Sequence, residues 1–168
     1  AFEREFGGVV VQGQGQLHER ALAMMGGPAR EAFDLARVDD SRRARYGQGS
    51  FGQGCLMAHR LVEAGVSFVE VSLRGWDTHQ DNFARTDALC AQLDQGLSAL
   101  TDDLIADGLW SQTLVLCVGD FGRTPRIKAG GGGDHFPAIS PALRGGAGIR
   151  AGAVVGSTDA TGEAIVDR

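Results

Sequence analysis

Five residues carry most of the chemical potential of this chain: Asp77, His79, Asp120, Asp134 and His135. Carboxylate oxygen together with imidazole nitrogen suits zinc, manganese or iron. Asp77-x-His79 is a weak signal by itself. It gains weight because Asp120 and the pair Asp134-His135 fall in a second loop of the same kind, and because two of only four histidines lie beside aspartates there. The competing readings are ordinary ones: Asp77 as a cap of the following helix, Asp120 as a post-strand turn residue, and Asp134-His135 as part of a flexible loop. His18 and His59 sit on helical patterns, outside the strand-end loops, and read as structural.

The second loop also contains Arg123, Thr124, Arg126 and Lys128. Beside a cation, Arg123 and Arg126 are the candidate catalytic residues, because a guanidinium fork matches phosphate or sulfate. The glycines at 130–133 would let backbone N–H groups close on an oxyanion. The competing reading is a mobile basic loop. Two other motifs fail on context. Gly47-Gln48-Gly49-Ser50-Phe51-Gly52 matches GxGxxG, but no strand pattern precedes it, as a dinucleotide fold requires. Asp120-Phe121-Gly122 matches the kinase DFG, but the remaining kinase motifs are missing.

The elements that must position these residues follow from periodicity. Residues 1–14 read as irregular, and 15–26 have helical spacing that Gly26-Gly27-Pro28 stops. A short helix is expected over 29–36, and a charged turn capped at Asp39-Asp40-Ser41 runs to Tyr46. Residues 50–64 form an amphipathic helix with Ser50 as N-cap and Gly65 just past its end. The β-branched run Val66 to Leu73 reads as a strand. Residues 81–107 carry the longest helical stripe: Phe83, Leu89, Leu93, Leu97, Leu100, Leu104 and Ile105. Residues 113–118 form a fully apolar strand of the kind covered on both faces, and 138–143 and 153–156 are weaker strand candidates. Alternating helix and strand predicts a parallel or mixed sheet with helices on both sides. Ligands of such sheets bind beyond the carboxyl ends of the strands, so loops 74–80 and 119–137 are expected on one rim.

With 168 residues, 43% of them apolar and 22% charged, the chain is long enough for one domain with a sizeable core. The net charge of −5 gives no reason to expect nucleic acid as a partner. No apolar run approaches the ~18 residues of a membrane span. Cys55, Cys90 and Cys117 read as buried free thiols rather than a disulfide framework. The start Ala1-Phe2-Glu3-Arg4 does not read as a signal peptide, and the sequence reads as a piece of a longer protein.

Three stretches carry a family resemblance: Gly75-Trp76-Asp77-Thr78-His79, then Gly119-Asp120-Phe121-Gly122-Arg123-Thr124-Pro125, then Gly133-Asp134-His135-Phe136-Pro137. In this order they resemble the successive motifs of the DUF1501 proteins. These are bacterial, are often exported by the twin-arginine route, and belong to the alkaline phosphatase/sulfatase-like superfamily. The resemblance runs from about Ala32 to Thr158. It implies a three-layer α/β/α sandwich with metal at the carboxyl ends of the strands. By that analogy Asp77, His79 and His135 resemble one metal site, and Asp120 the late-strand carboxylate of a second. The family usually has Glu at the position of Asp120 and an aromatic such as Trp at that of Phe136. Phosphatase relatives place His where Phe121 stands. The superfamily's first strand and its nucleophile have no counterpart in residues 1–30, so the domain spanning 1–168 is expected to be incomplete.

The resulting expectation is a metal-dependent hydrolase-like domain acting on a phosphate or sulfate ester. Its cofactor would be a divalent cation (zinc, manganese or calcium). Its substrate would be an anionic small-molecule or polysaccharide ester, and its location exported, periplasmic or at the cell surface. The alternative is a non-catalytic exported binding or assembly protein that retains the fold. An exposed sheet edge would in either case allow oligomerisation.

Overall fold

The computed structural model describes residues 28–167 together with Gly15, Glu19, Leu22 and Gly26. The irregular stretch expected over 1–14 lies outside the described residues. So does most of the helix expected over 15–26, although the four isolated residues within it are helical.

Four helices open the described chain: α1 (Pro28–Ala32), α2 (Asp40–Arg45), α3 (Ser50–Glu63) and α4 (Asn82–Ala106), with a 3-10 turn at Leu35–Arg37. Asp39 caps α2 through its side chain, which accepts from Ser41 N–H at 2.8 Å. The N-cap of α3 is Gly49, not Ser50, and no side chain caps it; Ser50 is the first helical residue. Gly65 and Gly108 follow α3 and α4 with φ of +86° and +71°, the left-handed backbone that glycine takes without steric cost.

The core lies between α3 and α4. Tyr46, Phe51, Cys55, Leu56 and Ala99 form it, and Val71, Leu73, Leu93 and Leu100 pack against it. The helices approach closely because Gly52 and Gly96 face each other: a Cβ on Gly96 would stand 3.3 Å from Gly52 Cα. The expected apolar stripe of α4 is buried only in part. Leu104 is 1% exposed, whereas Phe83 and Ile105 are 69% and 55% exposed, since no described element covers that side of the helix.

A polar cluster ties α2 and α3 to the end of α4. Asp103 is buried and accepts from Arg42 Nε (2.9 Å), Arg45 Nη1 (2.8 Å) and Tyr46 Oη (2.9 Å). Burial by itself would raise the Asp103 carboxyl, but these three donors outweigh it and hold it below its ordinary range. Burial of the phenol, and then its hydrogen bond to Asp103, push Tyr46 well above its usual value. The fully buried His59 has an acidic neighbour that sequence proximity hides: its Nε2 lies 2.9 Å from Asp107 Oδ2.

The strands differ most from the sequence expectation. Three antiparallel pairs are present: β1 (Leu114–Val118) with β4 (Ala142–Gly146), β2 (Gly122–Arg123) with β3 (His135–Phe136), and β5 (Ser157–Thr158) with β6 (Ile165–Asp167). The architecture is therefore α/β, made of helices and small antiparallel pairs, and the described residues form no parallel or mixed sheet. Residues 66–73 form no strand: no ladder with another segment is present among the described residues, where only Val66 N–H finds a backbone partner, at Leu61 O. Alternate side chains, Val71 and Leu73, still point into the core. β1 is not covered on both faces either: Leu114, Leu116 and Val118 are 54–59% exposed, while Val115 and Cys117 are half-buried. The strand candidates at 138–143 and 153–156 shift to 142–146 and 157–158. Of the three free cysteines only Cys55 is buried; its thiol is pushed up to about 12 by desolvation and then by nearby Cys117, while Cys90 is exposed.

Candidate metal centre

Loop 74–81 follows segment 66–73 and enters α4. Gly75 turns it with φ +107°, and Thr78 anchors it. Thr78 is 1% exposed and its hydroxyl is hydrogen-bonded to Asn82 Oδ1 in the first turn of α4. Asp77 does not cap that helix. The N-cap position is Asp81, in a left-handed conformation with φ 51° and with no capping bond from its side chain.

The second loop docks onto the first through its glycines. Asp81 N–H donates to Gly130 O (3.3 Å) and Asn82 N–H to Gly131 O (3.0 Å). A Cβ at position 132 would stand 1.9 Å from His79 O, so only glycine permits this approach. Within the loop, Thr124 N–H donates to Asp134 O and Asp134 N–H to Thr124 Oγ1, both at 3.0 Å. The β2–β3 pair then places Arg123 directly opposite His135.

The result is a convergence on one atom. His79 Nε2 lies 2.9 Å, His135 Nε2 3.1 Å and Arg123 Nη2 2.5 Å from Asp77 Oδ1. The ligating atoms of Asp77, His79 and His135 all lie within 4.8 Å of one another. A cation bound at ~2.1 Å to each would need donor atoms roughly 3–3.5 Å apart. Two of the three separations, 2.9 and 3.1 Å, are close to that spacing. The imidazole rings are 5.0 Å apart, and Phe121 packs on His135 at 4.7 Å between ring centroids, fixing its tilt. The three ligating side chains are half or more exposed. Hydrogen bonds from Arg123 and then His135 hold the Asp77 carboxyl at about 2, so it is ionised at any pH where a metal would bind.

The other expected ligands and anion contacts stand apart. Asp120 Oδ1 accepts from Phe121 N–H at 2.7 Å, and Asp134 is paired with Lys128 Nζ at 2.5 Å, which holds its carboxyl below the ordinary range. Arg123 is engaged with Asp77 rather than free on the rim, and it also donates to Trp76 O at 3.3 Å. The Arg126 side chain is exposed and has no partner among the described residues. The contact of Phe121 with His135 is invisible in sequence; the one available hint is that Phe121 directly follows a candidate ligand.

A family model described as "Protein of unknown function (DUF1501)" matches residues 7–168. The chain belongs to the DUF1501 family. No curated protein and no solved structure gives a match. In this DUF1501 chain the three motif stretches at 75–79, 119–125 and 133–137 meet at one place: the first supplies Asp77 and His79, the second Arg123 and Phe121, and the third His135. Among the described residues no helix is long and apolar enough to cross a membrane.

Proposed function

We propose that this DUF1501 chain is the metal-binding part of a hydrolase-like domain that acts on a phosphate or sulfate ester, with Asp77, His79 and His135 as ligands. One observation carries the reading: three ligating atoms from loops more than 50 residues apart lie within 4.8 Å of one another. A bound divalent cation supplies Lewis acidity toward an ester oxygen and acidifies bound water. The protein's own residues hold the ligand geometry, orient His135 through Phe121, and present Arg123 and Arg126 to an anion. Asp120 and Asp134 enter this reading as further carboxylate ligands, which would first have to leave their present partners. The three-layer alkaline-phosphatase-like sandwich, export, an anionic small-molecule or polysaccharide ester, and association through the free edge of β1 belong to the same proposal.

A second reading is an exported binding or assembly protein that keeps the ion without turnover. One feature favours it: the hydroxyl nearest the ligands in sequence, Thr78, is buried and engaged with Asn82. Elemental analysis of the wild type, Asp77→Ala and His79→Ala tests the metal centre; equal stoichiometry in all three sinks it. A panel of phosphate and sulfate esters with added zinc, manganese or calcium then separates the two readings, turnover supporting the first and binding without turnover the second.

A further inference from the structure

We propose that Arg123 is a resident counter-ion of the metal centre: it holds Asp77 Oδ1 until a cation takes its place, and its release couples cation binding to capture of a tetrahedral oxyanion. The inference rests on the metal reading above. Arg123 Nη2 occupies the same oxygen, at 2.5 Å, to which both imidazoles point. A cation on that oxygen would sit ~2.1 Å from it. Guanidinium and cation would then stand a few ångströms apart, and like charges at that distance repel strongly when partly shielded from water. Arg123 is 22% exposed in its side chain but Asp77 is 67% exposed, so solvent screens the pair and keeps the repulsion modest.

The side chain cannot move far. Its backbone is held in the β2–β3 pair opposite His135. Only the guanidinium can turn away from Asp77, and it stays beside the ligands. It is also half-used: Nη2 donates to Asp77 and to Trp76 O, while Nη1 is buried without an acceptor among the described residues. Once Asp77 is given up to a cation, both terminal nitrogens are free to form a two-pronged contact with an oxyanion. Of the other two cations of that loop, Lys128 is already paired with Asp134, and Arg126 stands exposed to solvent. Cation and oxyanion therefore favour each other's binding, each by the same factor.

The test is calorimetric titration of zinc chloride into the wild type, Arg123→Met and His79→Ala, in chloride and in sulfate at matched ionic strength. In chloride, Arg123→Met binds zinc about fivefold more tightly than wild type, the ratio to which ~1 kcal/mol of lost competition corresponds. Sulfate tightens zinc binding in the wild type and has no effect on Arg123→Met. Equal or weaker zinc binding by Arg123→Met, or a sulfate effect that survives the substitution, overturns the counter-ion role while leaving the metal centre standing. Zinc binding that persists in His79→Ala, or that is missing from both wild type and Arg123→Met, removes the metal centre itself and this inference with it. Arg123→Gln, which keeps a donor but no charge, gives the same comparison if the Met variant does not fold.

Discussion

Replacing Gly132 by alanine is the sharpest perturbation of how the two loops are joined. The added Cβ would fall 1.9 Å from His79 O, 2.2 Å from His79 C and 2.8 Å from Gln80 N. All three are backbone atoms, so no side chain can rotate to make room. Contact near 3.4 Å requires the loops to part by about 1.5 Å, and close-packed interiors do not absorb that locally. The bonds from Asp81 N–H to Gly130 O and from Asn82 N–H to Gly131 O stretch beyond range. At ~0.5–1.5 kcal/mol each, their loss destabilises the protein by about 1–3 kcal/mol. The separation also exceeds the ~0.5 Å tolerance of a working ligand set, so zinc affinity falls by about tenfold or more. Urea unfolding reads the first effect and calorimetric zinc titration the second. Gly130→Ala is the control, because a Cβ there meets nothing within 4 Å. Unchanged stability and zinc affinity in Gly132→Ala, or equal losses in Gly130→Ala, would refute the idea that glycine docking assembles the site.

Asp103→Ala leaves Arg42, Arg45 and the buried Tyr46 hydroxyl without their shared acceptor; urea unfolding should show a loss of about 2–4 kcal/mol, short of the cost of a wholly buried pair because both arginines reach solvent. Asp77 contributes to apo stability as an anion whose folded value, about 2, lies below its ordinary 3.8. That contribution is complete above about pH 4 and is lost as pH falls toward 2, so the stability gap between wild type and Asp77→Asn should be constant at neutral pH and close over that acid window. Phe121→Ala removes the ring against which His135 packs. Since such ring contacts are worth ~0.5–1.5 kcal/mol, zinc affinity should drop by less than about tenfold, with the thermal midpoint almost unmoved.

Much of the helical part was legible in the sequence. The breaks at Gly65 and Gly108 and the apolar spacing of 50–64 and 81–107 are local signals, and local structure follows them. Ser50 was displaced as N-cap because the glycine before it already has the extended backbone a cap needs. The strands were harder to read, since a strand is a relation between two segments. Val66 to Leu73 has every local mark of one and lacks a partner among the described residues, while His135-Phe136, which has no such mark, pairs with Gly122-Arg123. The ligand trio was readable as residue types in two loops. Its membership was not: Asp120 and Asp134 are of the same chemical type as Asp77, and only the register of β2 on β3 and the fit of Gly132 against His79 decide which carboxylate meets the imidazoles.

The first turn of α4 owes little to its own sequence. Asp81 provides no side-chain cap, and the amides of Asp81 and Asn82 are satisfied by carbonyls almost 50 residues downstream. The start of the helix is thus a tertiary feature, fastened and released with the glycine loop. Hydrogen exchange at those two amides would therefore act as a gauge of the far loop, slowing when His135 is clamped in place and quickening when it is let go.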